Sequence, residues 1–63
     1  MKKYYFANEE HMDEIYGGES AVCFDEAEVK RLAEEWGMTI DELMDQLHEA
    51  TEEEIATYGV YNG

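Results

Sequence analysis

Apolar positions keep a helical period through the middle of the chain. Val29, Leu32, Ala33 and Trp36 fall at i, i+3, i+4 and i+7, and after Gly37 the stripe resumes with Ile40, Leu43, Met44, Leu47 and Ala50. Start signals sit in front of both runs. Asp25 and Glu28 have capping-box spacing, with Phe24 and Val29 at the flanking staple positions. Thr39 and Glu42 repeat the box, with Met38 and Leu43 as the staple. The pattern predicts a helical hairpin over residues 25–36 and 39–50. Thr51 and Glu54 form a third box with Ile55 behind it, and predict a short final helix ending near Tyr58, before Gly59.

The first part of the chain reads differently. Tyr4, Tyr5 and Phe6 suit a strand over residues 2–6, aromatic on both faces and so buried on both or in contact with something. Asn8 is placed to cap a short helix over residues 9–16, with Met12, Ile15 and Tyr16 as its apolar stripe and Gly17 as its end. The apolar run from Ala21 to Phe24 predicts a second strand over 20–24, and Val60 with Tyr61 offers a brief third over 59–62. The expected fold is α+β: a short two- or three-stranded sheet against the 25–36/39–50 hairpin, with short flanking helices, in one domain over residues 1–63.

Composition narrows this further. With 44% hydrophobic residues among 63, eight of them aromatic, the chain is too apolar for a disordered acidic tail. A domain this small buries only about 60% of its unfolded surface, so its stability is marginal. The single Cys23 forms no internal disulfide, which leaves packing or a partner to supply the difference. A lone Cys and no apolar leader point to the cytoplasm. No apolar run approaches the roughly 20 residues of a membrane span.

Charge changes the picture most. Seventeen acids against four bases give a net charge of -13. Direct binding to DNA, RNA or an anionic membrane needs Lys and Arg at the contact, so the natural complement is a basic protein. Residues 39–54 hold seven acids and no Lys or Arg: Asp41, Glu42, Asp45, Glu49, Glu52, Glu53 and Glu54. On one helix Asp41, Asp45 and Glu49 would recur at about 6 Å per step, approaching the advance of a phosphate strand at about 3.4 Å per charge. Glu34 and Glu35 extend the surface from the preceding helix. An exposed helix ordinarily carries Lys at i+4 from its acids, and this one forgoes that support.

Residues 29–40 resemble the helix-turn-helix of bacterial repressors, with a small residue at Ala33, Gly37 four positions on, and a branched apolar residue at Ile40. The resemblance implies a helical pair with a reading helix. The exposed positions of that second helix would be Asp41, Glu42, Asp45 and Glu49, which a duplex repels, so the DNA-reading activity does not carry over. In size, charge and lack of reactive groups the chain resembles the small acidic inhibitors of phages and mobile elements, the anti-restriction and anti-CRISPR DNA mimics. That resemblance implies a non-enzymatic protein that masks a basic, nucleic-acid-binding protein such as a nuclease or regulator, with the nine carboxylates just named as its contact surface.

Other chemistry finds little support. His11, Asp13, Glu14, Cys23 and His48 match no metal-ligand spacing, and no cofactor motif is present. Paired carboxylates need a cleft that shifts their pKa values, and a chain this short has little room for one. Two alternatives remain: a self-associating adaptor, dimeric through its aromatic strand or hairpin and with charge serving only solvation, and a helix-turn-helix-like regulator.

Overall fold

The computed structural model describes residues 3–61. The fold is α+β. Three antiparallel strands, β1 (Tyr4–Ala7), β2 (Phe24–Asp25) and β3 (Leu47–Glu49), lie in the order β2-β1-β3. Tyr5 pairs with Phe24 on one side and Glu49 on the other, Phe6 with His48, and Ala7 with Leu47. Because side chains alternate along a strand, Tyr5, Ala7, Phe24 and Leu47 share one face, and Tyr4, Phe6, Asp25 and His48 the other. The central strand is the aromatic one, so both its faces need cover.

The first face takes the helical pair α2 (Glu26–Glu35) and α3 (Ile40–Met44). Val29, Leu32 and Ala33 from α2 and Leu43 from α3 are buried against Ala7, Phe24 and Leu47, with Ile15 completing the core. Both helices start where the spacing predicts, although only the second box closes, because the Glu28 carboxylate goes to Arg31. Asp25 accepts the Glu28 amide, and Thr39 and Glu42 form a reciprocal capping box. The end of α2 is a Schellman turn: Gly37, at φ 66, donates to Glu34, and Met38 donates to Ala33.

The second face is covered by α4 (Glu52–Tyr58), which the third capping box, Thr51 with Glu54, starts. Tyr58 stacks on Phe6 with ring centroids 4.6 Å apart.

Several expected elements differ. The predicted helix over 39–50 stops at Met44, and Leu47–Glu49 is the third strand. Two forces favour that exchange. A continuous helix would stack Asp41, Asp45 and Glu49 at i, i+4 with no cation between them. Residues 47–49 in strand form also satisfy the β1 backbone along the edge that two-residue β2 cannot reach. The strand expected over 20–24 is only Phe24–Asp25, because Asp25 turns at once into the cap of α2. The third strand expected over 59–62 is replaced by one parallel bridge, Val60 to Cys23; Asn62, like Lys2 of the first strand, lies outside the described residues. The helix over 9–16 is a 3-10 turn, Glu9–His11, followed by α1 (Met12–Tyr16), with Gly17 left-handed at its end. Asn8 makes no side-chain cap there, being committed elsewhere.

Candidate functional site

The candidate contact surface begins after Arg31, the last Lys or Arg of the sequence. From Leu32 onward the chain has nine acids and no Lys or Arg, and these are the nine carboxylates expected to carry contacts. No charged residue of the described chain is buried. Glu34 is exposed on the last turn of α2, and Asp41 and Glu42 on the first turn of α3. Asp45 is the exposed C-cap of α3, and Glu52 and Glu53 are exposed at the start of α4. Among the described residues, none of these six has an ion-pair partner.

The other three are spoken for in different degrees. Glu49 lies 3.9 Å from Lys3, with both side chains about two-thirds exposed, a pair that water and salt leave nearly worthless. Glu35 accepts from Arg31 at 3.0 Å. Glu54 belongs to a network. One of its oxygens accepts the Thr51 amide at 3.0 Å, and the carboxylate meets His48 Nε2 at 2.9 Å and 3.0 Å. The Thr51 hydrogen bond first, and then His48, hold its carboxyl below the ordinary value, while partial burial works the other way. The expected row Asp41, Asp45, Glu49 does not lie along one helix face. It runs from α3 through its cap into β3, with Glu49 on the strand.

His48 is clamped from both sides. Its Nδ1 lies 2.8 Å from Asn8 Oδ1, and Asn8 is oriented by giving Nδ2 to the Asp45 carbonyl at 3.3 Å. Both ring nitrogens therefore face acceptors, and when the ring is protonated its contact with Glu54 is an ion pair. The network works as a strut that ties α4 and the turn after α3 to the sheet. Sequence reasoning missed it, since Asn8 and His48 are 40 residues apart; only the Thr51–Glu54 box gave a local sign.

A second feature was not foreseen. Five rings run in series through the molecule: Tyr61 to Phe24 at 6.4 Å, Phe24 to Tyr16 at 5.7 Å, Tyr16 to Phe6 at 5.7 Å, and Phe6 to Tyr58 at 4.6 Å. Only the two ends, Tyr61 at 40% and Tyr58 at 42%, are well exposed. Midway, the Tyr16 hydroxyl donates to the Val22 carbonyl at 2.7 Å and accepts from the Ala7 amide at 3.3 Å. Burial is the main reason its pKa is pushed up to about 12. Beside the Tyr61 end, a groove of about 660 Å³ opens between α2 and the loop that follows α1. Buried Ile15, Phe24 and Leu32 and exposed Arg31, Trp36 and Tyr61 line it.

Among the described residues no three of His, Cys, Asp and Glu converge as ligands. The Cys23 thiol is fully buried, and burial, then the nearby Glu54 charge, pushes its pKa up, the setting of a packing residue rather than a nucleophile. The α2–α3 connection departs from a DNA-reading pair, because α3 has five residues and Ile40 is 44% exposed. No described helix is long and apolar enough to cross a membrane. Comparison with protein families, curated proteins and solved structures finds no match to this chain.

Proposed function

We propose that this protein is a non-enzymatic, cytoplasmic, stoichiometric inhibitor that occupies the nucleic-acid-binding groove of a basic protein, a nuclease or regulator. The carrying observation is the run of carboxylates on α3, β3 and α4, most of them exposed, with no Lys or Arg interspersed in the sequence. Its magnitude fits the role. A 30 Å length of duplex carries about 18 phosphates, and this body, 30 Å in its longest extent, carries a net charge of -13. Asp41, Glu42, Asp45, Glu49, Glu52 and Glu53 supply the long-range attraction, with Glu34 at the near end of α2. Glu35 and Glu54 contribute charge while holding Arg31 and His48. Such an encounter is fast and salt-sensitive.

The test is capture of partners from a lysate at low and high salt, with duplex DNA as competitor. The proposal expects a nucleic-acid-binding protein that is retained at low salt, released at high salt and displaced by DNA. Partners indifferent to both would sink it.

One observation favours a second reading. Trp36, Ile40, Tyr58 and Tyr61 are each 40% to 44% exposed, as the aromatic and aliphatic anchors of a self-associating adaptor would be. Each copy brings a charge of -13 to such a dimer, so dimerisation on this basis strengthens with salt, opposite to the inhibitor reading.

A further inference from the structure

The groove beside α2 carries two partly exposed aromatic residues on an otherwise acidic body. Trp36 and Tyr61 are each 40% exposed at its rim, while Phe24 and Leu32 are buried beneath. The one cation in its lining is already answered. Arg31 gives Nε and one terminal nitrogen to Glu28, and the other terminal nitrogen to Glu35 at 3.0 Å. Both Arg31 bonds to Glu28 fall on Oε1, leaving Oε2 without a hydrogen-bond partner among the described residues. Exposed Glu19 adds, on the loop side, a carboxylate with no ion-pair partner among the described residues.

These features select an occupant by charge. An anion meets a neutralised Arg31 and the field of a chain of net charge -13. A second copy brings the same repulsion. A guanidinium on an extended peptide meets two aromatic rings, the exposed Glu19 carboxylate, a cluster of net charge -1 at Arg31, Glu28 and Glu35, and an apolar base that accepts the next side chain.

We infer that the groove docks an arginine-bearing extended segment of the basic partner. The guanidinium lies against Trp36 and Tyr61, its charge is answered by Glu19 and by the net negative Arg31–Glu28–Glu35 cluster, and a neighbouring aliphatic side chain covers Phe24 and Leu32. This rests on the partner being basic, as proposed above, and adds a second, aromatic contact to the carboxylate surface.

Trp36 is the only tryptophan, so its emission reports the groove directly. The test titrates the intact protein with a blocked hexapeptide of alternating Arg and Leu, followed by Trp36 emission and by amide shifts in NMR spectra. Two control peptides replace Arg by Glu or Leu by Gly. The expected result is a saturating change in Trp36 emission, with shifts at Gly18, Glu19 and Tyr61. Tyr61→Ala should weaken binding by about fivefold, as loss of a partly exposed cation–π contact does, and both controls should bind less tightly than the Arg–Leu peptide. Trp36→Ala, followed by NMR, gives the same readout should Tyr61→Ala disturb the chain end.

Shifts confined to α3 and α4 would overturn the groove assignment and leave the carboxylate proposal standing. So would equal binding of the Arg–Gly peptide, which needs no groove. Equal binding of the Glu–Leu peptide, no binding at all, or groove shifts that grow with protein concentration alone would overturn it as well. Failure of the carboxylate proposal reads out separately, as partner capture that Asp41→Lys with Asp45→Lys leaves unchanged.

Discussion

On one face of the sheet Val29, Ala33 and Leu43 are each 2% exposed or less and pack on Ala7 and Leu47. On the other face α4 contributes no buried residue. It is held by Tyr58 stacked on Phe6 and by Glu54 on His48. The same three strands therefore carry a dry aliphatic layer and a half-wet aromatic one. Burial of Leu43 and its neighbours sets the global stability, whereas α4 has the makings of a unit that opens locally at lower cost. Three of the carboxylates proposed to meet a partner, Glu52, Glu53 and Glu54, ride on that looser helix. How firmly it is tied decides whether the anionic surface has one shape or several.

The largest expected effect comes from the dry side. Leu43→Ala should cost about 3 kcal/mol, against a total of roughly 3 to 9 kcal/mol for a chain this size. Urea titration should show a large fall in midpoint, and an unchanged midpoint would contradict the division between the faces. On the wet side Tyr58→Ala should cost about 1 kcal/mol for the lost stack. It should also speed hydrogen exchange in α4 while leaving α2 amides protected. Equal acceleration in both helices would mean that the faces open together. Thr51→Ala removes the cap that starts α4 and should cost about 1 kcal/mol, read as lower α4 helicity by NMR shifts.

The effects of pH emerge only at the acid and alkaline extremes, where they have opposite signs. The Glu54 carboxyl titrates below its ordinary value of 4.5 in the folded state. Its contribution is present above that value and lost as pH falls through the folded one. Glu54→Gln should therefore flatten the acid limb of stability against pH. Tyr16 titrates at about 12 instead of 10.0, mainly through burial. Its contribution is complete below pH 10.0 and is lost as pH rises towards 12. Tyr16→Phe should remove that alkaline slope, and a slope that persists would place the titrating group elsewhere.

Most of what could be read locally in the sequence held, the Asn8 cap being an exception, and what depended on distant pairing did not. Each of the three cap residues, Asp25, Thr39 and Thr51, starts a helix, since each needs only a neighbour three residues on; Thr39 and Thr51 form full capping boxes, while Glu28 gives its carboxylate to Arg31 instead of closing the box at Asp25. Gly37 ends α2 for the same local reason. The strand at Leu47–Glu49 was hidden because Leu43 and Leu47 satisfy a helical stripe as well as a sheet face; the β1 edge that recruits them is about 40 residues away. The Thr51 box did carry the clue, since an extended cap residue at 51 forbids a helix running through it. For the candidate site, each carboxylate and its exposure could be anticipated from composition, with Glu54 drawn inward by His48. The groove joins Trp36 to Tyr61 only through tertiary contact, so spacing gave no sign of it.

The most direct measurement of the central claim is competition between this protein and labelled duplex DNA for the captured partner, followed by fluorescence anisotropy at low and high salt. The account predicts that the protein releases the DNA at one equivalent and that added salt weakens its hold. It further predicts that Asp41→Lys, Asp45→Lys and Glu52→Lys together abolish the displacement. A ternary complex in which DNA stays bound, or displacement that the triple reversal leaves intact, would contradict it.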